Sequence, residues 1–148
     1  MLNFISNNLL DIVAIVISIC TLIWTLKSNK DITEKTLNKE FFEQIYFDYI
    51  IIKLPDSLFK LEAKSGSATA ECNHMKSLVL EILDKSIFYK YFDSDFYQKI
   101  KNILFDLDDI LVRAASETNS TKFREYKETI QNLSKDLYKE FRQYYSQI

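Results

Sequence analysis

The chain has little of the material from which tight turns and catalytic loops are made. Among 148 residues it contains one glycine, one proline and one histidine. Glycine and proline supply the backbone conformations of most turns, so β-sandwiches and β-barrels are poor fits and an all-helical fold is expected. A phosphate-binding loop or a dinucleotide fingerprint needs several glycines, so neither can be present.

The charge balance and the cysteine content exclude two further classes of protein. The net charge at pH 7 is −2, which provides no overall basic field, and no nucleic-acid partner is expected. Two cysteines cannot build a disulfide-rich scaffold. Cys20 lies in an apolar run and Cys72 in the polar part of the chain, so both are expected to be reduced.

Groups suited to metal binding or catalysis are equally scarce. Cys72 and His74 are two residues apart, but a structural zinc site needs about four ligands and no second pair completes one. On a helix, Asp106 and Asp109 would share a face while Asp108 would point away, which is typical of a solvated surface opposite a core. We therefore expect no enzymatic activity, no metal and no cofactor.

What the chain has in excess is a long apolar segment at its amino terminus. Residues 12–26 include no charged side chain, and residues 1–26 include only Asp11. As a helix, residues 4–26 would be about 34 Å long, enough to cover a hydrocarbon core of roughly 30 Å. The sequence therefore predicts a single transmembrane helix that makes residues 1–27 a membrane anchor.

The flanks of this segment predict that it is retained and how it is oriented. Its first eight residues carry no lysine or arginine, and no small-residue cleavage site follows Leu26, so a signal peptide fits badly. Four lysines follow it, at positions 27, 30, 35 and 39. The positive-inside rule then places the amino terminus outside and the bulk of the chain in the cytoplasm. We expect a single-pass protein of the inner (plasma) membrane.

Small and polar side chains follow one face of the predicted membrane helix. This polar stripe recurs at spacings of three and four and consists of Asn7, Asp11, Ala14, Ser18, Thr21 and Thr25. Small residues let helices approach closely in lipid, and polar groups hydrogen-bond between helices for about 0.6 kcal/mol each. The stripe predicts self-association into a homo-oligomer. The alternative is that the hydroxyls bond to carbonyls of their own helix.

Residues 28–148 predict a small cytoplasmic antiparallel bundle of about four helices. Apolar residues at helical spacing delimit these helices over 31–53, 70–92, 95–117 and 121–147. Pro55 is predicted to end the first helix, and a short amphipathic piece follows over 58–63. A loop near 64–69 holds the glycine. Short connections make the last three helices antiparallel neighbours.

Two short segments of this bundle carry distinct local signals. Residues 46–52 are aromatic and β-branched, which favours a strand, but no partner strand with a hairpin turn is present and we keep the segment helical. Polar residues that can accept a hydrogen bond from a first helical turn precede the last two helices. These are Asp93 or Ser94 for the third helix and residues 118–121 for the last.

The last helix carries more tyrosine and more basic residues than a core-facing helix needs. We call Lys135, Tyr138, Lys139, Arg142 and Tyr145 the basic–aromatic stripe. Aromatic and basic side chains together suit a protein partner or a small anionic ligand. The alternative is an exposed helix with weak ion pairs, since acidic residues are interleaved with the basic ones.

Together these features predict a membrane-anchored helical interaction protein. It would self-associate or dock a partner at the cytoplasmic face of the lipid bilayer. The alternative is an oligomeric membrane effector, of the kind used in bacterial antiviral defence or as a toxin, whose membrane helices perturb the bilayer when the bundle senses a ligand. The polar stripe separates the two hypotheses, because only the second requires it to disturb the membrane.

The predicted anchor can be tested by membrane fractionation. The full chain should sediment with membranes, resist an alkaline wash and be released by detergent. Ile17→Lys together with Ile19→Lys should move it to the soluble fraction, because each charge costs about 2.5 kcal/mol or more at the centre of a membrane helix. Ile17→Val with Ile19→Val is the matched control. A wild-type chain that stays soluble would contradict the anchor.

Overall fold

The computed structural model describes the backbone of residues 2–64 and 68–147 and the side chains of residues 16–29, 32–33, 35–64 and 68–147. Every regular element within these residues is helical, which confirms the all-α class. The elements are α1 (Leu2–Gln44), a π-helix (Ile45–Lys53), α2 (Leu54–Glu62), α3 (Thr69–Ser86), α4 (Tyr89–Phe92), α5 (Ser94–Ser116) and α6 (Ser120–Tyr145). In the described part of the chain, no helix combines the length and the apolar composition needed to cross a membrane.

The chain divides into two units, Met1–Asn38 and Lys39–Ile148. The first consists of the larger part of α1. The second contains the last residues of α1, the π-helix and α2–α6, and it has its own core, to which each of these elements contributes buried side chains. Within it, α5 lies between α3 and α6 and packs against both. The predicted helical bundle is therefore present in the second unit.

The predicted first helix of the bundle differs most from the structure. Residues 31–44 continue α1, as the absence of a strong helix breaker between Lys27 and Asp31 allows. The difference lies in Ile45–Lys53, which form a π-helix. The β-branched and aromatic side chains of this segment crowd the turns of an α-helix, and the wider π-helical turn accommodates them. The strand alternative for residues 46–52 does not apply.

Pro55 does not end a helix, contrary to the prediction. The backbone N–H of Leu54 donates to the carbonyl of Tyr49, five residues back, and Pro55 follows in the first turn of α2. Since proline has no N–H, the change from π-helical to α-helical bonding falls where one donor is missing. The predicted short helix over 58–63 therefore begins earlier, at Leu54, without an intervening turn.

The predicted helix over 70–92 is also wrong at its end, because α3 ends at Ser86 and α4 begins at Tyr89. Between them the N–H groups of Ile87 and Lys90 each donate to the carbonyl three residues back. This tighter turn redirects the chain so that Tyr89 is fully buried. The helix therefore breaks where Tyr89 enters the core.

The last two helices begin and end within two residues of their predicted bounds. The Asp93 carboxylate accepts from the N–H of Phe96 at 3.0 Å, and the Asn119 side chain accepts from the N–H groups of Thr121 and Lys122. Both caps lie within the polar breaks predicted for them. The buried face of α6 contains five of the apolar residues expected at helical spacing together with Ser134, whereas Tyr126 and Leu133 are only partly buried. The five are Phe123, Ile130, Leu137, Phe141 and Tyr144.

Phe42, at the end of α1, lies at the centre of an aromatic cluster. Its side chain is completely buried. Six rings have centroids within 6.4 Å of its own, and they belong to Tyr46, Tyr89, Phe96, Phe141, Tyr144 and Tyr145. These rings come from the π-helix, α4, α5 and α6. A single side chain thus joins four elements of the second unit.

Phe42→Ala should therefore lower the free energy of unfolding by about 3–5 kcal/mol, because it removes a buried ring from a packed cluster. The neighbouring Phe41→Ala is the matched control. Phe41 is 46% exposed and stacks on Phe88, so Phe41→Ala should lower the free energy of unfolding by only about 1 kcal/mol. Chemical unfolding of the full chain, followed by circular dichroism, measures both. Equal losses would contradict the central role of Phe42.

Candidate functional site

The polar stripe of the amino-terminal segment lies only partly within the described residues. The side chains of Asn7, Asp11 and Ala14 fall outside them, while Ser18, Thr21 and Thr25 are exposed on α1. The Thr21 hydroxyl donates to the carbonyl of Ile17 at 2.8 Å. This bond is the one expected if the stripe satisfies its own helix, and it leaves the hydroxyl oxygen able to accept a further bond.

The same stretch of α1 presents apolar side chains to its surroundings. Seven of them are between 52% and 75% exposed, namely Val16, Ile17, Ile19, Leu22, Ile23, Trp24 and Leu26. They cover most of the circumference of the helix and leave one face to Ser18, Thr21 and Thr25. A helix with so broad an exposed apolar surface is stable only where lipid or other protein covers it.

The structure separates the candidate metal ligands and nucleophiles. The Cys72 side chain is buried in the core, and burial raises the pKa of its thiol to about 11, whereas His74 is exposed. A buried thiol with a raised pKa is a poor nucleophile and a poor metal ligand. Asp108 faces Lys76 of α3 at 3.7 Å, while Asp106 and Asp109 are solvent-facing.

The tyrosines of the basic–aromatic stripe have a structural role that the sequence did not predict. Tyr138 and Tyr145 are 40% and 38% exposed, and their buried parts pack on the π-helix. The Tyr145 ring stacks on Tyr46 at 5.5 Å and meets the edge of Phe47 at 6.0 Å. The Tyr138 ring lies 6.3 Å from Tyr46. Burial, followed by a hydrogen bond with Tyr138, raises the pKa of Tyr46.

The three basic residues of the stripe are exposed along one side of α6. Lys135, Lys139 and Arg142 are spaced by four and three residues, so they follow one another along the helix. Within the described residues none of them forms an ion pair. The weak ion pairs considered for the last helix therefore do not include these three cations, which remain available to an anionic group.

A groove adjoins the stripe and contains two of its members, Lys135 and Tyr138. Its volume is about 320 Å³. One wall is apolar and is formed by residues of the π-helix and α2, namely Ile50, Leu54, Pro55 and Leu58. The opposite wall is formed by α6 and is largely polar, with Gln131, Ser134, Lys135 and Tyr138.

The groove exists because α6 carries a small residue where it faces α2. Ser134 is buried four residues after Ile130 and three before Leu137, a position where a large apolar residue would continue the core-facing pattern. Its hydroxyl donates to the carbonyl of Ile130 at 2.7 Å, so it is satisfied within its own helix. A serine inside an otherwise apolar period is the signal that sequence reasoning missed.

Polar contacts close one end of the groove. The Lys127 ammonium donates to the carbonyls of Glu62 and Lys64 at the end of α2, at 3.2 and 2.8 Å. The Gln131 amide donates to the Glu62 carboxylate. Tyr138 is the lining residue of α6 farthest from this end.

Comparison with known proteins assigns no family to the chain. No family model matches it, and neither a functionally characterised protein nor a solved structure is significantly similar to it. The residues of the second unit therefore provide the argument for what this protein binds.

The π-helix also positions Tyr49 in a polar contact with α3. The Tyr49 hydroxyl donates to the Glu81 carboxylate at 2.6 Å, and the Lys53 ammonium lies 3.9 Å from the centre of the ring. The hydrogen bond to Glu81, together with burial, raises the pKa of Tyr49 to about 12. This bond links the π-helix to α3.

Removing this hydroxyl should change the response to alkali. Because the folded pKa of Tyr49 lies above its ordinary value of 10.0, its contribution to stability is complete below pH 10 and is lost as the pH rises through about 12. Tyr49→Phe should lower the free energy of unfolding by about 1 kcal/mol at neutral pH and make the decline between pH 10 and 12 shallower.

Denaturant unfolding at a series of pH values compares this variant with the wild type. Tyr91→Phe, which alters a strongly exposed tyrosine, is the control and should follow the wild-type profile. Parallel profiles for wild type and Tyr49→Phe between pH 10 and 12 would contradict the role assigned to the Glu81 bond.

Proposed function

We propose that this chain is a membrane-anchored, non-enzymatic interaction protein. Residues 1–27 would cross the inner (plasma) membrane with the amino terminus outside, and residues 28–148 would lie in the cytoplasm. The observation that carries the proposal is the exposure of apolar side chains over most of the circumference of α1 between Val16 and Leu26. With one charge in residues 1–26, a lipid bilayer is the surrounding that best covers them.

The second unit would supply the recognition surface. The basic–aromatic stripe combines the partly exposed rings of Tyr138 and Tyr145 with three cations that have no ion-pair partner in the described residues. Tyrosine and arginine are enriched where partners bind, because rigid rings and forked guanidinium groups give large contacts at low entropic cost. A partner or ligand with anionic groups fits this surface best.

Self-association through the membrane helix is part of the proposal. Ser18, Thr21 and Thr25 lie along α1 at spacings of three and four residues and are exposed. Their small size favours close helix–helix contact, and each hydroxyl oxygen can accept a bond from a neighbouring copy. The oligomer would place several copies of the recognition surface together, which raises the avidity for a multivalent partner.

The oligomeric membrane effector is the second candidate. The observation that favours it is the presence of hydroxyl groups on α1 among apolar side chains that are exposed to the surroundings. In an oligomer, these hydroxyls would line a polar passage instead of a helix–helix contact. A bundle with a ligand-sized groove, such as the one between α2 and α6, is what such an effector would need as a sensor.

Leucine at three stripe positions separates the two functions. Asp11→Leu with Ser18→Leu and Thr21→Leu should convert an oligomer into monomers in detergent micelles, because the polar contacts between helices are lost. Sedimentation of the full chain measures this change. Val16→Leu with Ile19→Leu and Ile23→Leu, on other faces of α1, is the matched control and should leave the mass unchanged.

Dye release from vesicles gives the second readout for the same variants. An interaction protein should release no dye in either form. An effector should release dye as wild type and stop doing so as the stripe variant. A wild-type chain that is monomeric in micelles and in vesicles would contradict self-association.

A further inference from the structure

We propose that the groove between α2 and α6 binds a single-chain amphiphile with a terminal carboxylate, such as a medium-chain fatty acid. The inference rests on the proposed role of the basic–aromatic stripe as a recognition surface and names its ligand class. It does not depend on how the amino-terminal segment is inserted, because every residue that lines the groove belongs to Lys39–Ile148.

The dimensions of the groove favour a small molecule over a protein segment. Its volume of about 320 Å³ is near the lower end of the range for small-molecule sites, about 300–1,000 Å³. The polar residues on α6 run from Gln131 to Tyr138, eight residues or about 10 Å of helix. A helix is about 10 Å wide and usually docks over several turns, whereas the lining residues of α6 span about two turns. One aliphatic chain fits, and a lipid with two acyl chains is too large.

The apolar wall determines where the aliphatic chain lies. Ile50, Leu54 and Leu58 follow one another at spacings of four residues along the π-helix and α2. Ile50 and Leu54 are buried, so Pro55 and Leu58 provide most of the apolar surface that this wall exposes. Ser134, on the opposite wall, is too short to fill the space between α2 and α6, and its hydroxyl already donates to the carbonyl of Ile130. A methylene chain between these walls would remove apolar surface from water without burying a polar group that lacks a partner.

The charges determine the orientation of the ligand. The Glu62 carboxylate stands at the end near Gln131, so an anionic group is repelled there. Lys135 lies on the wall, and Lys139 and Arg142 continue along α6 beyond the Tyr138 end. The ligand carboxylate should therefore lie near Tyr138 and Lys135, with the chain extending towards Leu58 and Gln131.

The test uses the full chain in phosphatidylcholine nanodiscs and a decanoate that carries a photoreactive diazirine at its chain end. After illumination, the labelled peptides are identified by mass spectrometry. Label is expected on the segments around Leu58 and Gln131, and decanoate should compete for it. Decanol and decyltrimethylammonium, which have equal chains but no anionic group, should not compete. Half-maximal competition should require up to about 15 times more octanoate than decanoate, because octanoate buries two fewer methylenes.

Charge reversal at the groove provides the matched variants. Lys135→Glu should raise the decanoate concentration for half-maximal competition about tenfold, because a weak attraction becomes a repulsion of similar size. Lys122→Glu changes an exposed lysine near the start of α6 and should leave that decanoate concentration unchanged. Both positions are exposed, so both variants should keep the wild-type fold.

Several outcomes would overturn the inference. Label confined to α1 would mean that the probe only partitions into the membrane. Equal competition by decanol would mean that the groove accepts any aliphatic chain. Equal effects of Lys135→Glu and Lys122→Glu would mean that net charge alone matters. None of these outcomes affects the anchor, which fractionation tests separately, and a failed fractionation leaves the labelling pattern in Lys39–Ile148 interpretable.

Discussion

The packing of aromatic rings around Phe42 is the interaction on which the second unit depends. The unit has no strand among its described residues and no disulfide to hold its helices, so side-chain packing, with a few polar contacts between helices, fixes their arrangement. Phe42 brings together rings from the π-helix, α4, α5 and α6, and Phe96 and Tyr144 stack at 4.0 Å within the same cluster. Because every ring has several neighbours, the loss of one is felt by several helices. The positions of Tyr138 and Tyr145, and so of the basic–aromatic stripe, follow from this cluster.

The sequence predicted those parts of the fold that local rules determine. The period of α6 and the caps at Asp93 and Asn119 follow from side chains within a few residues of each other, and the structure has them where expected. The π-helix was not predictable, because apolar spacing does not report whether a carbonyl bonds four or five residues ahead. Pro55 was wrongly predicted to end a helix for the same reason, because whether a helix tolerates proline depends on the hydrogen-bond register of the preceding turn.

The candidate site was predicted only in part. Lys135 and Tyr138 could be found from the composition of α6 alone, because unusual side chains on one helix face are visible in the sequence. Their opposite wall could not, since Ile50, Leu54 and Leu58 look like ordinary core residues until α2 is positioned beside α6. A recess is a property of two elements together. The serine at position 134, inside the apolar period of α6, is the sequence feature that corresponds to the unfilled side of the pair, and the prediction did not include it.

The small size of Ser134 has a consequence for how this bundle can vary. A larger apolar residue there would bury more surface and would, by the usual rules of core packing, make the second unit more stable. It would also fill the space between α2 and α6. Stability and an open groove thus compete for one side chain, and a bundle selected for stability alone would not be expected to keep a serine there.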